Sequence, residues 1–134
     1  MIFIDTGAFY ASKVTNDINN SSALVIENHI REGRYGKMIT TNYILDELYT
    51  LLRGRVGHEE IIRIGDSIRH SPNIRIVWIL EALEEKAWNL FKEHQDKIFS
   101  FTDCTSFVVM HTLRMNTAFT YDSHFEQAGF QVIK

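Results

Sequence analysis

The stretch IFIDTGAF, residues 2–9, begins with three apolar residues and then changes abruptly to an acidic one. A short run that is wholly apolar indicates a strand buried on both faces, as in parallel sheets. Asp5 ends this run, and residues 6–14 have the pattern of a helix. The stretch therefore predicts a strand, a turn and a helix start, with a carboxylate at the carboxyl end of the strand.

The same alternation of short apolar runs and amphipathic segments continues along the chain. Further strands are predicted at residues 38–41, 74–78, 118–121 and 130–133. Helices are predicted from about residue 24 to Gly33 or Gly36, and at about 42–53, 58–70, 80–94 and 102–115, after a polar loop at 16–22. This order is typical of βαβ units and predicts an α/β fold, with a parallel sheet that has helices on both faces.

The tripeptide Asp5-Thr6-Gly7 is also found at the active site of aspartic proteases. Those enzymes are built of strands and need two such motifs, or a dimer of small β-rich subunits. This chain is mostly amphipathic helix and has the tripeptide at the end of a single predicted strand. We therefore interpret Asp5 as the strand end and Gly7 as a flexible residue of the turn.

Length and composition indicate an ordinary globular protein. The 134 residues fit one domain, 1–134. Hydrophobic residues make up 45% of the chain and charged residues 23%, as in soluble proteins. The formal net charge of −3 neither indicates nor excludes a nucleic-acid partner, because local patches decide that contact.

Cysteine content and the absence of targeting signals bear on where the protein acts. Cys104 is the only cysteine, so no disulfide forms within the chain and a thiolate metal site is excluded. The first residues show no basic segment and no cleavage site of a signal peptide. No apolar run approaches the ~20 residues needed to span a bilayer. We therefore expect a cytoplasmic protein with no membrane partner.

Two acidic residues follow predicted strands directly. Asp5 follows the first strand, and Asp122 follows the fourth. In open α/β sheets, ligands bind in the crevice outside the carboxyl ends of the strands, so both side chains would point into that crevice if the two strands are neighbours. The alternative is that each residue only caps the next helix.

Glu47 lies on a helix face that is mainly apolar. It shares that face with Tyr43, Ile44 and Leu51. The polar stripe of the same helix carries other residues, namely Asn42, Asp46, Thr50 and Arg53. A carboxylate is costly to bury unless it is paired or bound to a cation. The alternative is that Glu47 reaches water at the edge of the face or pairs with Arg55.

Asp103 lies at the start of the helix predicted at 102–115. Its alternative role is a favourable interaction with the helix dipole, with Thr102 as the cap.

Clustered carboxylates repel one another unless a cation binds them. An oxygen-only ligand set without histidine or cysteine suits Mg²⁺ or Mn²⁺, and such ions support phosphodiester hydrolysis.

Four segments together resemble the PIN domain, the nuclease fold typified by VapC toxins of toxin–antitoxin pairs. They are IFIDTGAFYA (2–11), ILDEL (44–48), SFTDCTSFVVM (100–110) and TYDSHFEQAGF (120–130). The resemblance covers the whole chain, with the segments in the family's order. It implies an α/β/α sandwich with a central parallel five-stranded sheet. It also implies a metal-dependent endoribonuclease that hydrolyses RNA phosphodiester bonds.

The resemblance also implies roles for individual residues. By position, the catalytic and metal-binding quartet would be Asp5, Glu47, Asp103 and Asp122, which would bind Mg²⁺ or Mn²⁺. Thr120 matches the hydroxyl residue of the family's Thr-x-Asp. Many relatives carry a further acid one helical turn after the third carboxylate, whereas this chain has Ser106 and Phe107 there. Whether one or two metal ions bind therefore stays open.

Several neighbours of the quartet are candidates for supporting the site or contacting substrate. The candidates beside the acidic residues are Thr6, Thr120, Ser123 and His124. His124 could equally be structural, as a lone histidine often is. Arg53 and Arg55 could contact RNA phosphates or simply lie at a solvated helix end. The apolar helices of residues 24–52 could form a homodimer face or a groove for an antitoxin, or could simply be core.

Two other functions fit the acidic residues less well. A PIN nuclease could serve housekeeping RNA processing instead of acting as a toxin. A receiver-like signalling domain that binds Mg²⁺ would need adjacent acids near the first strand and a late lysine. No acid follows Asp5 until Asp17, and Lys134 is the only lysine or arginine after Arg114. A haloacid-dehalogenase-type phosphatase would need an aspartate where Gly7 stands.

Overall fold

The computed structural model describes residues 1–134 and contains five strands and seven helices. The strands are β1 (Ile2–Ile4), β2 (Met38–Thr41), β3 (Ile74–Val77), β4 (Thr117–Phe119) and β5 (Gln131–Ile133). The helices are α1 (Thr6–Lys13), α2 (Asn20–Arg31), α3 (Asn42–Arg53), α4 (His58–Arg69), α5 (Glu81–Glu93), α6 (Phe101–Thr112) and α7 (Ser123–Gln127). All paired strands are parallel, in the order β3-β2-β1-β4-β5. The five-stranded parallel sheet and the α/β/α fold expected from the sequence are confirmed.

Strand β1 lies at the centre of the sheet. Its residues are each at most 2% exposed, and it pairs with β2 on one edge and β4 on the other. A parallel strand that is covered on both faces must be apolar throughout, which explains the run at residues 2–4. Since β1 and β4 are parallel neighbours, their carboxyl ends lie side by side. Asp5 and Asp122 were expected to share a crevice if the first and fourth strands are neighbours, and the pairing of β1 with β4 meets that condition.

The strand order excludes the receiver-like alternative. Receiver domains belong to the doubly wound folds with the order 2-1-3-4-5, in which the third strand lies next to the first. Here β3 is an edge strand that pairs only with β2. The chain reverses direction across the sheet between β1 and β4, so the ligand crevice expected of such a sheet lies at their carboxyl ends.

Buried phenylalanines hold α6 and α7 against the sheet. The ring centroid of Phe125 lies 6.0 Å from that of Phe3 and 5.1 Å from that of Phe107. Phe130 packs against both Phe107 and Phe125. This packing determines where the first turns of α6 and α7 lie relative to the end of β1.

Two local predictions need correction. The polar loop predicted at 16–22 is wrong in its second half, because α2 begins at Asn20. The first turn of α2 is polar, and the Asn20 amide is held by the carbonyl of Ala11 at 2.7 Å, so the apolar period starts only after that turn. Helix α7 was not predicted, since five residues are too few to show a period. The expected end of α2 is confirmed, with Gly33 at φ 84° just beyond it.

None of the helices combines the length and the apolar character that crossing a membrane would require.

Candidate active site

Three of the four acidic residues of the predicted quartet lie at the carboxyl edge of the sheet. Asp5 directly follows β1, and its N–H donates to the carbonyl of Phe119 at the end of β4 at 3.1 Å. Asp122 immediately precedes α7, and Asp103 lies in the first turn of α6. The polypeptide thus brings together residues that are far apart in the sequence.

Thr120 connects the two strand ends. Its hydroxyl donates to Asp5 Oδ2 at 2.6 Å and accepts from the Asp122 N–H at 2.9 Å. The side chain is completely buried, so both bonds are shielded from water. Thr120 therefore determines the orientation of the Asp5 carboxyl group and the path of the chain into Asp122.

Asp5 is the most perturbed carboxyl group of this edge. Its pKa is raised from 3.8 to about 7, chiefly by burial; the hydrogen bond from Thr120 opposes the shift, and the negative charges of Asp103 and Asp122 add to it. Asp5 makes no capping hydrogen bond to α1, so the capping alternative does not account for its position. The neighbouring hydroxyl of Thr6 is buried and has no hydrogen-bond partner. Polar groups at this edge are thus left without the partners that burial requires.

Asp103 is held in place by its own helix start. Ser100 caps α6, and the two residues form a capping box in which each side chain accepts from the other's backbone N–H, at 2.9 and 3.0 Å. The predicted cap, Thr102, is therefore wrong by two residues. Asp103 lies in the first turn of α6, as its alternative role beside the helix dipole requires, but its Oδ2 also lies 2.8 Å from His124 Nδ1.

Asp122 caps α7 and remains accessible. Its Oδ1 accepts from the His124 N–H at 2.9 Å, and its side chain is 38% exposed. The second carboxylate oxygen makes no hydrogen bond within the protein, so it is free to contact a ligand from the crevice.

His124 lies inside the acidic cluster. Nδ1 is 2.8 Å from Asp103 Oδ2 and 3.4 Å from Asp122 Oδ1. The sequence predicted a neighbour of the site that could equally be structural, and the structure places an imidazole nitrogen among the carboxylates. The only signal in the sequence was its position two residues after a predicted site aspartate.

Glu47 is not joined to the other three acidic residues. It is exposed and makes no hydrogen bond or ion pair, so the predicted cost of burying it does not arise, and no pair with Arg55 forms. The direction in which the Glu47 side chain leaves α3 is indicated by Tyr43, which lies one turn earlier. The ring centroid of Tyr43 is 6.2 Å from that of Phe101 at the start of α6. Glu47 thus shares the helix edge that faces α6.

The side chains of the remaining candidates make no hydrogen bond to the acidic cluster. Arg53 contacts His58 Nδ1 at 2.9 Å, and both side chains are exposed. Arg55 lines a surface depression of α1 and α3. Ser123 is exposed at the start of α7. Cys104 is a buried core residue, and burial raises the pKa of its thiol to about 11, so it offers no nucleophile.

The donor set of the cluster fits a divalent cation. Single ligand atoms of Asp103, Asp122 and His124 all lie within 4.8 Å of one another. No lysine or arginine forms an ion pair with Asp5, Asp103 or Asp122. Carboxylate oxygen and imidazole nitrogen are both protein ligands for divalent metal ions, and a cation would balance charges that no side chain balances.

Comparisons with known proteins match this chain over nearly its whole length. A family model described as the PIN domain matches residues 2–131. The chain is 31% identical over 134 residues to the 23S rRNA-specific endonuclease VapC20 of Mycobacterium tuberculosis. This alignment covers 100% of this chain and 98% of that protein. It is 32% identical over 123 residues to a VapC ribonuclease of Archaeoglobus fulgidus, in an alignment that covers 91% of this chain and 77% of that protein.

Solved structures show the same fold. The crystal structure of Mycobacterium tuberculosis VapC20, described as a sarcin–ricin loop cleaving toxin, matches with a TM-score of 0.86 and 32% identity, over 97% of this chain and 96% of that one. FitAcB from Neisseria gonorrhoeae matches with a TM-score of 0.67 and 18% identity, over 100% of this chain and 97% of that one. At that identity the second match is a likeness of fold.

Proposed function

Because this chain belongs to the PIN-domain family, we propose that it is a metal-dependent endoribonuclease that acts as the toxin of a toxin–antitoxin pair. The observation that carries the proposal is the convergence of Asp5, Asp103 and Asp122 at one edge of the sheet, without a basic partner. Full-length similarity to a protein named as an rRNA-specific endonuclease supports the same reaction. The chain acts as one nuclease domain in the cytoplasm, where its RNA substrate is found.

The residues that would hold the metal are the same carboxylates. Asp5, Asp103 and Asp122 supply oxygen ligands for Mg²⁺ or Mn²⁺, and Glu47 approaches from the edge of α3 that faces α6. A bound divalent cation would make an attacking water more acidic and would stabilise negative charge on the leaving oxygen.

The chain itself supplies orientation. Thr120 holds Asp5, and the capping box with Ser100 holds Asp103. Because these bonds exist before any ligand arrives, the carboxylates need little reorganisation to bind a cation or to position a phosphodiester beside it. Arg53, the last residue of α3, and Arg55, just beyond it, are both exposed and are the proposed contacts for RNA phosphates.

RNA is the proposed substrate, and a structured ribosomal RNA loop is the first one to test. The relative from Mycobacterium tuberculosis is described as specific for 23S rRNA, and its solved structure as that of a sarcin–ricin loop cleaving toxin. Within such an RNA, a single-stranded loop is the proposed target, since RNA bases are recognised mainly in loops, bulges and ends.

A protein partner and a homodimer are proposed from the surface around α1, α2 and α3. Large apolar side chains are exposed there: Ile18, Leu24, Val25 and Leu51 are 43–94% exposed. Exposed apolar residues that lie close together are typical of protein interfaces. An antitoxin would cover this surface and direct an arginine or lysine at the carboxylates.

The function is tested with purified protein and a synthetic RNA that contains the sarcin–ricin sequence, alongside total RNA. Cleavage should require Mg²⁺ or Mn²⁺ and should stop when EDTA is added. Asp5→Asn should abolish cleavage, whereas Asp46→Asn, an exposed acid of the same chain, should not. Cleavage that persists in EDTA, or in Asp5→Asn at the wild-type rate, would rule the proposal out.

A further inference from the structure

The His124 imidazole lies beside two of the carboxylates of the candidate site. Its Nδ1 lies 2.8 Å from Asp103 Oδ2, which is an ordinary hydrogen-bond length. The same nitrogen also lies 3.4 Å from Asp122 Oδ1, which is too long to add much to such a bond. One imidazole nitrogen therefore faces oxygen atoms of two carboxylates at once.

Backbone and ring packing keep the imidazole at this position. The His124 N–H is bound to Asp122 Oδ1 in the first turn of α7. The ring lies edge-on to Phe99, with 5.5 Å between centroids, and the side chain is only 20% exposed. The imidazole thus stays beside the carboxylates instead of turning into solvent.

The spacing of the three atoms suits ligands of one ion. Two ligands that bind at right angles to an octahedral ion, each at roughly 2.1 Å, are separated by about 3.0 Å. The observed separations of 2.8 and 3.4 Å from Nδ1 lie on either side of that value. Little movement would be needed for all three atoms to contact a cation between them.

We propose that His124 binds the divalent cation directly through Nδ1, together with Asp103 and Asp122. The inference rests on the proposed function, because it assumes that this edge of the sheet binds metal. Nδ1 must carry no proton when it binds, so the ring takes the tautomer that is protonated at Nε2. A nitrogen ligand favours ions of the first transition series over Mg²⁺. The site therefore binds Mn²⁺ more tightly than Mg²⁺.

The test uses Mn²⁺ as the probe and pulsed electron paramagnetic resonance as the readout. In the wild-type protein, Mn²⁺ should show coupling to a nitrogen nucleus, and labelling the histidines with ¹⁵N should change that coupling to the ¹⁵N pattern. This measurement requires neither RNA nor catalytic activity. It also requires no variant, so it stands even if substitution of His124 prevents folding.

Variants identify which of the six histidines is responsible. His124→Asn should remove the nitrogen coupling and weaken Mn²⁺ binding by at least the ~10-fold that loss of a supporting partner already costs. Mg²⁺ binding should weaken less, so the dissociation constant for Mg²⁺ divided by that for Mn²⁺ should fall. His70→Asn is the matched control. His70 is exposed and lies between the end of α4 and the start of β3, so it is at the amino ends of the strands, whereas the acidic cluster is at their carboxyl ends.

The outcomes separate this inference from the proposed function. Mn²⁺ that binds without nitrogen coupling, and with equal affinity in wild type and His124→Asn, overturns the inference and leaves the nuclease proposal standing. Coupling that disappears in His70→Asn but persists in His124→Asn overturns it as well. If neither Mn²⁺ nor Mg²⁺ binds and RNA cleavage needs no metal, both the inference and the proposed metal dependence are wrong.

Discussion

Thr120 and Asp5 stand 115 residues apart in the sequence and are joined by a hydrogen bond of 2.6 Å inside the protein. The bond crosses from the end of β4 to the end of β1, and the same threonine oxygen accepts the N–H of Asp122. One buried hydroxyl thus links two of the proposed metal ligands. Its removal should disturb both without touching the metal.

Thr120→Val keeps the shape of the side chain and removes both bonds. We expect RNA cleavage to fall by ~10- to 100-fold, as for other groups that orient metal ligands. The free energy of unfolding should fall by about 1–3 kcal/mol, because a buried carboxyl group loses its donor. Cleavage rates and urea unfolding check both effects.

Thr120→Ser is the control, because it keeps the hydroxyl. Its cleavage rate should stay within a few-fold of the wild-type rate. Equal losses in both variants would show that the methyl group matters instead.

The stability of the metal-free protein should depend on pH through Asp5. The pKa of Asp5 is about 7 in the folded protein and 3.8 as the ordinary value. Between these values the folded state keeps a proton that the unfolded chain has released, so the free energy of unfolding falls as pH rises through this window. The full loss, reached above the folded pKa, is at most about 4 kcal/mol.

Urea unfolding in EDTA from pH 4 to pH 8 measures this dependence. Asp5→Asn cannot ionise and should lack that part of the slope. Adding Mg²⁺ should stabilise the wild type more at pH 8 than at pH 5, because the ionised carboxylate is the metal ligand. A wild-type slope identical to that of Asp5→Asn would contradict the prediction.

Glu47 and Asp46 are adjacent, yet we expect them to differ in function. One step along a helix turns the side chain by roughly 100°. Tyr43, one turn before Glu47, faces α6, whereas Asn42, one turn before Asp46, accepts from the Ile79 N–H beyond β3. Glu47 therefore lies toward the acidic cluster and Asp46 away from it.

Glu47→Gln should lower cleavage by at least ~10-fold, since it keeps the shape and removes a proposed metal ligand. Asp46→Asn should leave cleavage unchanged and alter stability by no more than about 0.5 kcal/mol, as for other surface substitutions. Both are assayed on one RNA at matched metal concentration. An inactive Asp46→Asn with an active Glu47→Gln would mean that the assignment of the second acid is wrong.

Expression in cells distinguishes a toxin from a housekeeping nuclease. If the protein is a toxin, expression without its partner should arrest growth, and Asp5→Asn should relieve the arrest. Coexpression of the neighbouring small reading frame, if it encodes an antitoxin, should restore growth with the wild-type chain. Normal growth with abundant, folded wild-type protein would favour the housekeeping role.

The fold could be predicted because its signals are local. The apolar run at residues 2–4 identified a strand buried on both faces, and alternating strands and helices indicated the parallel sheet. Strand ends then indicated Asp5 and Asp122 as candidate site residues. Each of these inferences needed only a few consecutive residues.

The details that escaped prediction depend on contacts that the sequence does not display. Helix α7 was missed because five residues have no measurable period. His124 was predicted only as a neighbour of the site, because its position in the cluster depends on the packing of Phe125 against Phe3 and Phe107. Ser100 caps α6 in place of Thr102, since both residues have suitable side chains and only the backbone decides between them. The exposure of Glu47 agrees with the alternative that it reaches water at the edge of its face, and the sequence could not decide this because the exposure of its apolar neighbour Leu51 depends on packing.

The central position of β1 has a consequence for protein synthesis. Its partner β4, which leads to Thr120 and Asp122, lies far along the chain from β1 and is made after the first three strands. Until residues 117–122 have left the ribosome, one edge of β1 is unpaired, and Asp5 lacks both the Thr120 hydroxyl and the neighbouring carboxylate of Asp122. A nascent chain, or one that is terminated before residue 117, therefore lacks Thr120 and Asp122, and its acidic cluster is not assembled.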